Sequence, residues 1–143
     1  MSAKAACAFL FFVATHTVFA ATLTPWSGKY PSDKIANQSA NALITKKLLD
    51  KKILPAAEAH LIKQFAVGDI VTREGDYTIF FKCKPHACPS NHLMIIEKDD
   101  GHLWIGIYQN HDATISTRWY GSQEYTALPD TIQKAFLQGH APH

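Results

Sequence analysis

The sequence predicts an α+β domain in which helices pack on a central antiparallel sheet of about five strands. Apolar residues recur with the helical period of 3.6 in the first half of the chain and again near its end, and with a period of two between about residues 70 and 120. The chain has 143 residues, of which 47% are hydrophobic and 18% are charged, as in one globular domain. We therefore expect a single folded domain.

Residues 1–20 have the composition of a secretory signal peptide. The cation Lys4 precedes an apolar run from Ala5 to Ala14, and the segment ends in Val18-Phe19-Ala20. Because a membrane span needs about 20 apolar residues, this run is too short to be one. The sequence thus predicts cleavage after Ala20 and an exported domain of residues 21–143 without a membrane segment.

The charge balance and the motif content exclude several classes of function. The chain has 14 Lys and Arg residues against 12 Asp and Glu, and removal of the signal peptide leaves a net charge of +1. Such a small charge does not indicate a nucleic-acid binder. No P-loop, G-x-S-x-G, H-E-x-x-H or G-x-G-x-x-G motif occurs, and His111-Asp112 is typical of a solvated turn. We expect neither an enzyme nor a cofactor.

Three helices are predicted, after an extended segment at residues 21–31. Ser32-Asp33 indicates the start of the first helix. Its apolar face consists of Ile35, Ala36, Ala40, Leu43, Ile44 and Leu48. The second helix is predicted from Pro55 to Phe65, ended by Gly68. The last has Pro129 in its first turn and Gly139 as its stop, and the tail after it is expected to be solvated.

Five segments with a period of two predict the strands. They are Ile70–Arg73, Tyr77–Cys83, His92–Glu97, His102–Tyr108 and Ser116–Tyr120. Glu74-Gly75-Asp76 and Lys98-Asp99-Asp100-Gly101 supply turn chemistry between neighbouring strands. In the second strand, Phe80 and Lys82 share one face, and Ile79, Phe81 and Cys83 share the other. Four aromatic residues are predicted to pack in the structure rather than to stack on a ligand, namely Trp104, Tyr108, Trp119 and Tyr120.

The connection between the second and third strands is the most informative segment. It contains Cys83-Lys84-Pro85-His86-Ala87-Cys88-Pro89, with two cysteines and two prolines where a hairpin usually has two to five polar residues. In an oxidising compartment such cysteines most simply form a disulfide. A ring this small stabilises the fold by only about 2 kcal/mol on the loop-entropy model, so rigidity explains it better. His86 is the residue in the ring that can donate, accept or change its charge near neutral pH.

Residue types alone leave other interpretations of this loop open. The ring can be a stiff hairpin cap with His86 in solvent. A metal site would use Cys83, His86, Cys88 and His92, although four ligands so close to Pro85 require a very tight loop. A redox site would depart from the C-x-x-C spacing that lowers a thiol pKa.

The segment Cys83-Lys84-Pro85-His86-Ala87-Cys88 closely resembles the signature loop of the inhibitor of vertebrate lysozyme family, Ivy, periplasmic proteins of Gram-negative bacteria. The signal peptide, the chain length, the element order and Leu54-Pro55 agree with this resemblance. It implies an α+β fold, a homodimer and inhibition of C-type lysozyme by a protruding loop that a Cys83–Cys88 disulfide closes. By position, His86 would contact the catalytic carboxylates, and Lys84 and Pro85 would shape the ring, with Ala87 beside the histidine.

Two departures motivate an alternative function. The family loop commonly has an acidic residue where this chain has Ala87. C-type lysozymes are usually basic, whereas the mature chain is close to neutral, so long-range attraction would be weak. The alternative is a periplasmic binding or stress-protection module of the same fold that acts on the cell's own wall-processing enzymes and does not inhibit lysozyme.

Overall fold

The structure, a computed structural model, describes residues 22–142, so the predicted signal peptide lies outside the described residues. The described chain contains three α-helices, a small hairpin and a larger sheet. In chain order the elements are β1 (Lys34–Ile35), β2 (Gln38–Ser39), α1 (Ala40–Asp50), α2 (His60–Gln64), β3 (Val67–Gly68), β4 (Thr72–Glu74), β5 (Tyr77–Cys83), β6 (Asn91–Lys98), β7 (Leu103–His111), β8 (Thr114–Gly121) and α3 (Asp130–Gln138). The predicted α+β class is confirmed. No helix within these residues has the length and apolar character needed to cross a membrane.

The larger sheet has six antiparallel strands in the order β3-β5-β6-β7-β8, and β4 pairs with β5 on the same edge as β3. The strands β5 to β8 form a continuous meander, in which each strand pairs with the next along the chain. All four were predicted within two or three residues of their observed ends. The connection between β5 and β6 therefore lies at the same end of the sheet as the turn between β7 and β8.

The two faces of the sheet are covered by different helices. On one face, which we call the first core, sheet residues pack against α1, α2 and the segment before them: Phe80, Leu93, Ile95, Ile105 and Ile107 against Leu23, Trp26, Ile44, Leu48, Ile62 and Phe65. On the other face, the second core, they pack against α3: Ile79, Phe81, Met94, Ile96 and Trp104 against Ile132, Ala135 and Phe136. The predicted alternation of side chains along β5 is confirmed.

The first helix begins later than the sequence predicts. Residues 34–39 form the β1–β2 hairpin, and α1 starts at Ala40. Ala36 and Asn37 take left-handed backbone conformations, with φ of 50° and 64°, which turn the chain back on itself. Ser39 then caps the helix, because its Oγ accepts from the Ala42 N–H at 3.3 Å. The expected start at Ser32-Asp33 is therefore wrong.

Three shorter predictions also need correction. The second helix is divided into a 3-10 turn at Ala56–Glu58 and α2, and Gly68 lies in β3 rather than at a helix stop. The segment predicted to be extended around Trp26 forms a 3-10 turn at Thr24–Trp26, which buries the indole. The tail after α3 is not fully solvated: Ala141 and Pro142 are buried, and Ala141 belongs to the second core.

The end of α3 and the sheet aromatics agree with the sequence analysis. Gly139 has a φ of 73° and ends the helix in the left-handed conformation. The ring of Trp119 packs on Phe136 with their centroids 4.6 Å apart, and Trp104 is buried in the second core. These indoles fill the space around Gly106 and Gly121, where a Cβ atom would lie within 2.8 and 2.5 Å of Trp119 and Trp104 respectively.

Candidate functional site

The candidate site is the loop between β5 and β6, closed by a disulfide between Cys83 and Cys88. The two Cα atoms are 4.7 Å apart, and the sequence separation is five residues. We call residues 83–88 the ring. Because both sulfurs are in the disulfide, the thiolate ligands of the metal interpretation are not present. Residues 22–142 also contain no group of three or more His, Cys, Asp or Glu side chains placed to hold a metal ion.

Backbone hydrogen bonds fix the ring from inside and from the sheet. The Ala87 N–H donates to the Lys84 carbonyl at 3.0 Å, and the Ala87 carbonyl accepts from the N–H groups of Ser90 and Asn91 at 3.1 and 2.8 Å. The Lys84 N–H donates to the Asn91 carbonyl at 2.9 Å, continuing the ladder between β5 and β6. Asn110 of β7 donates its N–H to the Ser90 carbonyl at 2.7 Å. Hydrogen bonds therefore connect the loop to β6 and β7 as well as to β5.

His86 lies in the exposed part of the ring. Pro85 and His86 are exposed, whereas Lys84 and Ala87 are half-buried. The backbone of His86 is left-handed, with a φ of 62°, a conformation that costs about 1 kcal/mol or more for a residue with a Cβ. Within residues 22–142 its imidazole makes no hydrogen bond, ion pair or ring contact. Both ring nitrogens are therefore available to a partner.

A second histidine, His92, supports the ring from the interior of the second core. It is fully buried, pairs in register with Cys83, and stacks on Tyr108 with 4.7 Å between the ring centroids. Its Nε2 lies 2.8 Å from the Phe136 carbonyl oxygen, and its Nδ1 lies 3.2 Å from the Cys88 carbonyl oxygen. Burial lowers the pKa of His92, although both carbonyls favour its protonated form. The side chain connects the ring to the last turn of α3.

The sequence placed His92 at the start of a predicted strand and among the ligands of an alternative metal site, and it did not reveal this bridging role. Its partner Phe136 is 44 residues away along the chain, so its role depends on the packing of α3. The available signal was its position as the first residue of the predicted strand His92–Glu97.

The turn between β7 and β8 lies at the same end of the sheet as the ring. His111 and Asp112 are exposed, and Asp112 and Ala113 have φ values of 48° and 68°. The predicted solvated turn is confirmed. Since Asn110 is bonded to Ser90, the turn and the ring form neighbouring parts of one exposed surface.

The fold and the site define a class of protein: an α+β domain that carries a covalently closed, exposed loop at one end of its sheet. The sequence model of one family, Inhibitor of vertebrate lysozyme (Ivy), matches residues 47–142, which include the whole ring. The chain belongs to this family. The family is one of lysozyme inhibitors and not of enzymes. Comparisons with curated proteins and with solved structures found no match.

Proposed function

We propose that the protein inhibits C-type lysozyme by inserting the ring into the active-site cleft, with the imidazole of His86 against the catalytic carboxyl groups. Family membership supports inhibition of lysozyme in general. The observation that supports this mechanism is the exposure of His86 on a ring whose backbone is fixed by hydrogen bonds. The imidazole of His86 has no partner within residues 22–142. The ring would lose little conformational freedom on binding.

The chemistry of an imidazole suits a glycosidase cleft. Such a cleft holds two carboxyl groups about 5 to 9 Å apart, one ionised and one protonated. The two nitrogens of His86 point to opposite sides of its ring, so one can donate to the ionised carboxylate while the other accepts from the protonated acid. Hydrogen bonds to a charged group in a water-poor site are stronger than those between neutral groups. The ring also excludes the sugar, and inhibition is competitive without any reaction.

We also propose that the signal peptide is cleaved after Ala20 and that the mature chain acts in the periplasm as a homodimer. The disulfide supports an oxidising compartment. The outer edge of β8 is unpaired within the described residues, and Ile115 on this strand is 61% exposed. An exposed edge strand with an apolar residue favours pairing with a second copy. Sedimentation equilibrium of the mature protein would test this, and a monomer at micromolar concentration would reject it.

The inhibition itself is tested by lysis of a cell-wall suspension. Purified mature protein is titrated into a C-type lysozyme, beside the variants His86→Ala and His86→Asn. Asparagine tolerates the left-handed backbone better than alanine, so it separates loss of the imidazole from backbone strain. Loss of one charge-assisted hydrogen bond, worth about 1.5 to 3 kcal/mol, weakens inhibition by about tenfold or more in both variants.

The matched control is His60→Ala, since His60 is an exposed histidine on α2, outside the ring. It should inhibit as the wild type does. Unchanged lysis at micromolar wild-type protein rejects inhibition. Equal potency of the wild type and both His86 variants rejects the role assigned to the imidazole.

Ala87 favours a second candidate function, binding to the cell's own wall-processing enzymes. The methyl group of Ala87 gives the ring no charge beside His86, and the near-neutral chain would not attract a basic lysozyme over long range. Capture experiments in a periplasmic extract, with a C-type lysozyme added in equal amount, compare the two partners directly. Retention of an endogenous enzyme in preference to lysozyme would favour this candidate.

A further inference from the structure

A groove on the first-core side of the protein is not used by the proposed inhibitory mechanism. It lies between α1, α2 and β5 and has a volume of about 640 Å³, within the usual range for a small-molecule site. Apolar atoms from Ala42, Leu49, Ile62 and Ala66 line it, together with the side chain of Lys82. In the part of the chain that the structure describes, no acidic side chain lines the groove.

Lys82 is a buried cation that has no carboxylate partner among residues 22–142. The residue is 4% exposed, and its Nζ donates to the Asn41 Oδ1 at 3.0 Å and to the Ile62 carbonyl at 2.7 Å. An ammonium group has three N–H donors, so these two acceptors leave one donor unused within residues 22–142. Burial lowers the pKa of Lys82 to about 8. Because buried lysines are usually paired with an acid, this site favours an anion from outside the chain.

Two further lysines line the groove. Lys46 of α1 forms an ion pair with Asp50, which offsets its charge. Lys63 of α2 is exposed and has no ion pair within residues 22–142. The groove therefore combines an apolar wall, a buried ammonium group and a second cation, Lys63.

We propose that this groove binds an amphiphilic carboxylate with a single unbranched acyl chain, a ligand of the fatty-acid class. The carboxylate accepts the remaining N–H of Lys82, and the acyl chain covers Leu49, Ile62 and Ala66. The choice of this ligand rests on charge complementarity. One buried ammonium group favours a ligand with one negative charge, and the apolar lining favours a hydrocarbon chain. The site lies on the opposite face of β5 from the second core and does not depend on lysozyme inhibition.

The test is isothermal titration of the mature protein with sodium decanoate below its micelle concentration, and with 1-decanol, which has the same chain and no charge. We expect saturable 1:1 binding of decanoate and at least tenfold weaker binding of decanol. Lys82→Met removes the ammonium group, and Ala42→Phe fills the groove without changing a charge. Both should weaken decanoate binding at least tenfold.

The control variant is Leu137→Ser, which removes a 65% exposed leucine on α3, away from the groove. It should bind decanoate as the wild type does. The absence of saturable binding at millimolar decanoate, equal affinity for decanol, or an equal loss in the control overturns the proposal. Thermal unfolding of each variant verifies its fold. If Lys82→Met does not fold, because Asn41 and Ile62 lose their donor, the decanol and Ala42→Phe measurements decide.

Discussion

Opening the ring is the most direct test of the idea that rigidity serves inhibition. The double variant Cys83→Ala/Cys88→Ala removes the disulfide and leaves the paired strands and the first core in place, and it takes only the buried Cys83 sulfur out of the second core. For a sequence separation of five residues, the loop-entropy model gives a loss of unfolding free energy of about 2 kcal/mol. A domain of this size should tolerate that loss and remain folded at 25 °C.

The effect on binding follows from what remains fixed in the opened loop. Pro85 keeps its φ, and the hydrogen bond from the Lys84 N–H to the Asn91 carbonyl still connects the loop to β6. His86 and Ala87 become the residues most free to move. Ordering their backbones again on binding costs about 1 kcal/mol each. A total of about 2 kcal/mol corresponds to inhibition about thirtyfold weaker.

The assay measures the inhibition constant in the cell-wall lysis reaction and the urea midpoint of the same preparations. Gly121→Ala serves as the control for stability, because its Cβ would meet Trp104 of the second core and it leaves the ring and the contacts of His92 unchanged. It should lose stability without losing potency. If the opened ring inhibits within twofold of the wild type, the disulfide does not act by holding His86 in place, and this reasoning is refuted.

Three further predictions concern the support of the fold. Gly106→Ala places a Cβ 2.8 Å from the indole of Trp119. This overpacking should lower the free energy of unfolding by about 1 to 3 kcal/mol, measured by urea titration. An unchanged urea midpoint would contradict the close packing. Glu97→Gln removes the charge of a buried carboxylate that is paired with the partly buried Lys47, and chemical denaturation should show a loss of about 3 kcal/mol. A loss of about 1 kcal/mol or less, as for an exposed pair, would refute it. Burial holds the pKa of His92 below its unfolded value of about 6.5, so the unfolded state binds more protons and stability should fall by up to about 1.4 kcal/mol per unit as pH decreases below that value. This decline should be reduced in His92→Phe, and equal slopes would exclude His92 as its source.

The parts of the fold that could be predicted are those with local signals. The strands β5 to β8 are runs of seven to nine residues rich in β-branched and aromatic side chains, and turn or loop residues separate them. The last helix ends where Gly139 can adopt a positive φ. By contrast, β3 consists of two residues that are strands only because they pair with β5, as Val67 does with Cys83. No pattern within so short a segment can show this pairing.

The predicted start of the first helix is too early for a specific reason. Ile35 and Ala36 fall on the apolar face that α1 would have if it were extended backwards, so the periodicity continues past the end of the helix. The left-handed turn at Ala36 and Asn37 interrupts it. Asparagine is common in this conformation, but alanine is not, and the signal was weak for that reason.

The site shows the same division between local and distant information. The ring was predictable because its cysteines, prolines and histidine are adjacent in sequence. Lys82 was assigned to the face of Phe80, but its burial requires Asn41 of α1 and Ile62 of α2. A lysine side chain in a strand is usually exposed to solvent, so the sequence could not reveal the buried Lys82 or the groove.

The geometry of position 87 also explains what an acidic residue there would do. The N–H of Ala87 is bonded to Lys84, and its carbonyl accepts from Ser90 and Asn91, so its backbone supplies the hydrogen bonds that hold the loop. These bonds do not involve the side chain. The loop thus keeps its shape with alanine, and an acidic side chain at this position is not needed to form the ring. Under the proposed function, the side chain at position 87 therefore bears on contacts with the partner rather than on the shape of the ring.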